Sequence, residues 1–284
     1  NAMFFTVNTA QGMRIDPNSR ISLSNNDSSN TGNTIFGKSA WNNSSNNVSD
    51  YNTIFGEGVM GTGAVAGATN NVGVGYQALA GVTGGDGNTA AGYLAGTAIT
   101  DGANNVCIGT NAGDSITTAN KCTFVGRGAG AAVTVTNTSN VSDGTVAVGN
   151  QALTALTSGG SNTAVGYQSM DATTTGGGNT ALGYQSLSGD TDGNGADNTA
   201  LGHKTLLTAT SPSKNVAIGD SAMRYMDASA DSIANCVAIG ANAFAGHTDT
   251  TTGANGTVAI GKDALTALTT GQQNTAVGYQ ALDA

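Results

Sequence analysis

The chain has 284 residues, of which 43 are glycine and only 2 proline, and its 18 acidic and 9 basic side chains leave a net charge of −9. That balance lacks the basic footprint that nucleic acid or an anionic membrane surface requires. Leu, Ile, Val and Phe together number only 49, too few for an ordinary globular core. The low charge density argues against disorder, and the missing Gly-X-Y period argues against collagen.

No apolar run reaches the ~18 residues of a membrane-spanning helix, so no membrane insertion is expected. Residues 1–3, Asn1-Ala2-Met3, read as a cloning scar before a start methionine. Residues 4–32 read as an N-terminal cap or connector. From residue 33 to 284 one string, Asn-Thr-Ala-Val-Gly with variants, recurs as a single repeat domain. Its closing glycine falls at Gly37, Gly56, Gly75, Gly92, Gly109, Gly126, Gly149, Gly166, Gly183, Gly202, Gly219, Gly240, Gly261 and Gly278.

The 14 copies are separated by 17 to 23 residues, always an odd number. Lengths therefore change by two, which keeps every later side chain of an extended chain on its own face. Each unit reads as strand, glycine corner, strand and variable loop, with strands of about five residues and no helical period. Units that small must stack on their neighbours to bury anything. The expected fold is all-β, a parallel β-solenoid of about 14 coils. At ~4.8 Å per coil it makes a rod of roughly 65 Å.

The slots of the repeat carry separate expectations. Four residues before the glycine stands Asn33, Asn52, Asn71, Asn88, Asn105, Asn162, Asn179, Asn198, Asn215 or Asn274. Identical Asn side chains stacked coil on coil can hydrogen-bond as a ladder along the axis. Cys122, Cys236, Thr145 and Thr257 fill the same slot in the other coils. The three cysteines, with Cys107, share no metal or disulfide spacing and read as packed thiols. The residues one and three before the glycine, mostly Val, Ile, Leu or Thr, are expected to face the core. The small residue between them, mostly Ala, is expected to face away and to form a surface for self-association.

Sites of chemistry are few. Gly126-Arg127-Gly128-Ala129-Gly130 and Gly73-Val74-Gly75 open no helix and precede no Gly-Lys-Ser/Thr, so they are not phosphate loops. His203 and His247 read as surface histidines, with no triad around them. Asp190, Asp192 and Asp197 crowd one loop and form a weak candidate cation or carboxylate-pair site. Tyr76, Tyr93, Tyr167, Tyr184 and Tyr279 follow the corner glycine, where half-buried packing is favoured over an aromatic strip for sugars. No catalytic residue, metal or cofactor is assigned.

The segments Asn215-Val216-Ala217-Ile218-Gly219 and Val237-Ala238-Ile239-Gly240 resemble the head repeat of YadA-like trimeric autotransporter adhesins. Asn162-Thr163-Ala164-Val165-Gly166-Tyr167-Gln168-Ser169 and Asn274-Thr275-Ala276-Val277-Gly278-Tyr279-Gln280-Ala281-Leu282 look still more like repeats of phage tail fibres, as does the stretch from Gly12 to Ile21 ahead of them. The adhesin repeat is shorter and more uniform than this one. The resemblance implies a left-handed β-roll, three chains around one axis, and a non-enzymatic attachment fibre on a virion. A host-surface glycan or protein would be held by avidity through the longer excursions 127–144, 220–235 and 241–256. A bacterial adhesin head and a polysaccharide-cleaving solenoid are the competing expectations. An ice-binding solenoid is disfavoured because Thr alternates irregularly with Val.

Overall fold

The computed structural model describes residues 3–7, 10–15, 21–22, 32–41, 49–132, 143–189, 194–209, 211–226, 233–246 and 253–283. At the N-terminus, β1 (Met3–Val7), β2 (Ala10–Ile15) and β3 (Ile21–Ser22) form an antiparallel three-stranded sheet in the order β1-β2-β3. The rest of the chain is a parallel solenoid of about 12 complete turns, without a helix among the described residues.

Its strands are short. In chain order they are β4 (Thr34–Phe36), β5 (Thr53–Phe55), β6 (Val72–Val74), β7 (Thr89–Ala91), β8 (Val106–Ile108), β9 (Thr123–Val125), β10 (Val146–Val148), β11 (Thr163–Val165), β12 (Thr180–Leu182), β13 (Thr199–Leu201), β14 (Thr208–Ala209), β15 (Val216–Ile218), β16 (Tyr225–Met226), β17 (Val237–Ile239), β18 (Val258–Ile260) and β19 (Thr275–Val277). All but β14 and β16 belong to one 14-stranded sheet whose order follows the sequence from β4 to β19. Equivalent residues pair in register, as in Val146↔Thr163, Ala147↔Ala164 and Val148↔Val165. The two remaining strands pair with each other in parallel, Thr208↔Tyr225 and Ala209↔Met226.

Two expectations about the coil are corrected. The strands hold three residues, not five, and no second strand follows the glycine in most coils. The reason is the backbone after the corner. Two and four residues beyond the glycine, non-glycine residues sit in the left-handed region, as at Gln77 (φ 52) and Leu79 (φ 53) after Gly75. An extended strand cannot contain such residues. Each costs roughly 1–2 kcal/mol of local strain. The offset comes from stacking: Gln77 N–H donates back to the Glu57 carbonyl at 2.9 Å, and Leu79 N–H donates forward to the Ala95 carbonyl at 3.0 Å.

The second correction concerns parity. In the three-residue strands from β5 onward the middle residue is buried and its two neighbours face out, a pattern of Thr123 half-buried, Phe124 buried and Val125 half-buried in β9, or exposed–buried–exposed in β12; in β4 the middle Ile35 is half-buried. The small-residue row thus lines the core, and the Val, Ile, Leu and Thr rows form the outer face. The ladder slot decides this. The Asn side chains must point inward to find their partners, and alternation then carries the residue two places later inward as well. A coil this narrow leaves room there for Ala but seldom for Leu.

The core is filled by exchanging volume between two slots. Where the mid-strand residue is Ala147, the residue four past the corner is the buried Leu153; where it is Phe124, that residue is Gly130. A methyl added at Gly130 would lie 2.6 Å from the Phe124 ring, and one added at Gly113 would lie 2.8 Å from both Cys107 and Phe124. Mid-strand Gly73 likewise makes way for Val59, 2.5 Å from where its Cβ would stand. The tempting glycine-rich loops are therefore packing devices: Gly126 is a corner and Gly130 seats a phenyl ring.

The corner glycines answer a second demand. Gly109 has φ +128, and a Cβ there would stand 2.6 Å from the carbonyl oxygen of Gly126 in the next coil. Along the glycine column each corner lies against the backbone of the next. Gly278, in the last coil, meets nothing nearer than 3.8 Å.

Candidate functional surface

A polar spine runs through the interior. Asn52 N–H donates to Asn33 Oδ1 at 2.8 Å, and Asn52 Nδ2 donates to the same oxygen at 3.1 Å and to the Ala68 carbonyl of the next coil at 2.9 Å. The same set recurs through Asn71, Asn88 and Asn105, and again at Asn198 and Asn215, while Asn179 donates its N–H to Asn162 Oδ1 at 3.0 Å and its amide to the Gly195 carbonyl at 2.7 Å. Asn33 is 5 % exposed and Asn52 to Asn105 are wholly buried. Each amide so satisfies buried backbone groups in its neighbour coil, at positions where an unmet group would be costly. Asn274, in the last coil, is half-buried and donates to Gly271 of its own coil at 2.8 Å.

The spine is broken twice, at Cys122–Thr145 and at Cys236–Thr257. Cys122 and Cys236 N–H still donate to Asn105 and Asn215 Oδ1, at 2.9 and 3.0 Å. Neither following threonine finds a partner for its buried Oγ1. The three cysteines are free and buried. Burial pushes the Cys122 thiol up to about 11 and raises those of Cys107 and Cys236 as well. They are protonated, inert packing groups at neutral pH.

A second side-chain ladder escaped the sequence reading. Six residues before the corner, Asp86, Asn120, Asp143 and Asn255 each present Oδ1 to a backbone N–H of the preceding coil, at Thr69, Ala103, Asn120 and Ala234, over 2.6 to 2.8 Å. The signal was available as Asp or Asn six before the glycine, but only some coils carry it.

Outside, the sheet offers a flat face without a cover. Its rows include Phe36 and Phe55, both 55 % exposed with rings stacked at 5.0 Å, and Ile108, Leu182, Ile218 and Ile239. At ~4.8 Å per strand and ~7 Å between same-face residues, the strip is about 60 Å long and covers on the order of 400 Å² or more. Contiguous apolar areas of that size mark interaction surfaces.

Across the corner stand the tyrosines. Four of them pack on one another there, Tyr76 on Tyr93 at 5.3 Å and Tyr167 on Tyr184 at 5.5 Å, each 43 to 51 % exposed, while Tyr279 is more open. Tyr184 stacks in turn on His203, whose Nδ1 lies 2.6 Å from Asp220 Oδ1. That pair is more than half exposed and contributes little to stability. A parallel row of amides runs alongside, Gln185 donating to Gln168 at 3.1 Å and Gln168 to Gln151 at 3.4 Å. Within each stack the facing rings cover one another, which leaves fewer ring faces on which a sugar could stack.

Asp197 is exposed, in the left-handed position just before Asn198, while Asp190 and Asp192 lie outside the described residues. So does His247. Among the described residues no three His, Cys, Asp or Glu side chains gather as a metal ion would need. The excursions 127–144, 220–235 and 241–256 lie partly outside the described residues. Elsewhere, an exposed Lys262–Asp263 pair raises the lysine and lowers the carboxyl through their mutual hydrogen bond, and burial raises Asp171.

No known protein family, no curated protein and no solved structure matches this chain.

Proposed function

We propose that this chain is a stiff, non-enzymatic fibre module that works as a homotrimer and attaches a virion to the surface of its host. The observation that carries this reading is the uncovered sheet face, an apolar strip about 60 Å long on a β-solenoid. Water-exposed apolar rows of that length call for a cover, and a second and third copy of the same rod supply a strip of equal length and spacing. Association through the alanine row, as the sequence suggested, is unavailable because that row is buried. The outer Val, Ile, Leu and Thr rows take its place. The resemblance of the repeats to phage tail fibres supports the setting, with the excursions between coils as the part that meets a host glycan or protein. The same module on a bacterial surface would be an adhesin head.

Solution mass with small-angle scattering tests the assembly. An elongated particle of three chains supports it, and a compact monomer overturns it. Competition tests the role. Purified protein should block adsorption of the parent virion to host cells, and turnover of a capsular polysaccharide by the protein would replace this reading with an enzymatic one.

A further inference from the structure

The chain has seven tyrosines, and four of them form two pairs with one geometry. Tyr76 and Tyr93 stack with ring centroids 5.3 Å apart and planes 12° from parallel; Tyr167 and Tyr184 stack at 5.5 Å and 10°. All four rings are between 43 and 51 % exposed. Each pair is set by the coil itself: both partners follow the corner glycine of consecutive coils, whose strands β6 and β7, or β11 and β12, are held in register. The other three tyrosines stand apart. Tyr51 is 62 % exposed, Tyr225 lies under the Arg224 guanidinium at 4.7 Å, and Tyr279 faces the Lys262 ammonium at 5.3 Å. None of these three stacks on another tyrosine among the described residues.

We propose that Tyr76–Tyr93 and Tyr167–Tyr184 are sites of oxidative cross-linking, each joined by a one-electron oxidant of the peroxidase class into a dityrosine that staples two consecutive coils. Each phenol loses one electron and its hydroxyl proton and becomes a phenoxyl radical. The two radicals join through a carbon–carbon bond between ring positions ortho to oxygen. The two ortho protons then leave to solvent as the oxygens are reprotonated. In total two protons and two electrons pass to the oxidant, so one hydrogen peroxide becomes two waters. The rod contributes proximity: rings held side by side on a rigid ladder meet at a high effective concentration, and coupling needs no encounter between molecules. Solvent exposure provides both access for the oxidant and room for the rings to turn out of the stack. The product would tie the coil of Gly75 to that of Gly92, and the coil of Gly166 to that of Gly183, against peeling apart.

The test is oxidation of the purified chain with peroxidase and hydrogen peroxide, followed by a denaturing gel, proteolysis and mass spectrometry. The expected product runs as a single chain and yields two linked peptide pairs, Tyr76 with Tyr93 and Tyr167 with Tyr184, each lighter by two hydrogens. A roughly tenfold dilution of the protein leaves the yield per chain unchanged within about twofold. Tyr93→Phe removes the first link and spares the second, and Tyr184→Phe does the reverse, while phenylalanine keeps the ring stack and the fold. The proposal is overturned if covalent dimers and trimers are the main products. Links that involve Tyr51, Tyr225 and Tyr279 as often as the stacked four also overturn it, as does tyrosine oxidation without coupling.

Discussion

Asn33 Oδ1 accepts two hydrogen bonds from one residue, the backbone N–H of Asn52 at 2.8 Å and its side-chain amide at 3.1 Å. The bond reaches nineteen residues along the chain but only one coil along the rod. Each ladder asparagine thereby closes the polar groups of the coil above it. Asn88→Ala should orphan the N–H of Asn105 and the Gly102 carbonyl, both now bonded to it, and leave the Asn105 amide only its bond to the Ala119 carbonyl. At roughly 1–3 kcal/mol for each buried group left unpaired, the loss should be several kcal/mol. Denaturant unfolding of Asn88→Ala measures it, and a cost below about 1 kcal/mol would remove the ladder from the account of stability.

The corner column makes a sharper steric claim. Gly109→Ala places a methyl 2.6 Å from a backbone oxygen, at φ +128. Gly144, at φ +70, has nothing within 4 Å of the same added atom. Gly144→Ala should cost only the left-handed penalty of roughly 1–2 kcal/mol. Gly109→Ala should cost clearly more, because the coils must part. Thermal unfolding of the two variants ranks them, and equal midpoints would contradict the close-approach reading.

Phe124 and Gly130 share one volume, as Ala147 and Leu153 do at the equivalent places in the next coil. Phe124→Ala alone should cost about 3–5 kcal/mol through the cavity. Adding Gly130→Leu should recover much of that, since leucine at the equivalent place, Leu153, already has φ 52 against φ +60 at Gly130. Gly130→Leu alone should be strongly destabilising. A double-mutant cycle that came out additive would show the two slots to be independent.

The buried thiols set an alkaline limit. Cys122 is raised from 9.0 to about 11 by burial, so the folded chain keeps a proton that the unfolded chain gives up. Stability from this group is complete below pH 9.0 and is lost as pH rises toward about 11. Cys122→Ser should flatten the fall in unfolding free energy across that window. Alkylation of native protein below pH 9.0 should be slow at all three cysteines.

The outer face predicts an assembly effect without a folding effect. Leu182→Lys with Ile218→Lys puts two charges on half-exposed sites of the strip. The chain should keep its far-ultraviolet dichroism and lose association in sedimentation. Unchanged assembly would move the interface elsewhere.

Much was legible because a solenoid repeats its physics every coil. The period, the parallel sheet, the glycine column and the asparagine slot follow from counting, since any position that recurs fourteen times reveals what it tolerates. The second ladder through Asp86 and Asn120 was not legible, because nine of the fourteen coils carry Gly, Ala, Ser, Thr or Gln at that place. The tyrosine column was visible as a recurrence, but its exposure was not. Whether a phenol after a corner folds back or stacks depends on where the neighbouring coil puts its own ring.

Sequence alone determined the length of each rung and the odd spacing that keeps all rungs on one parity. It left open which parity is inside, since a row of alanines and a row of valines are both apolar enough to be buried. Only the tertiary structure decided that. Most of the asparagine amides find partners in the adjacent coil, and once they turn inward the strand alternation takes the small residues with them and leaves the large ones facing water.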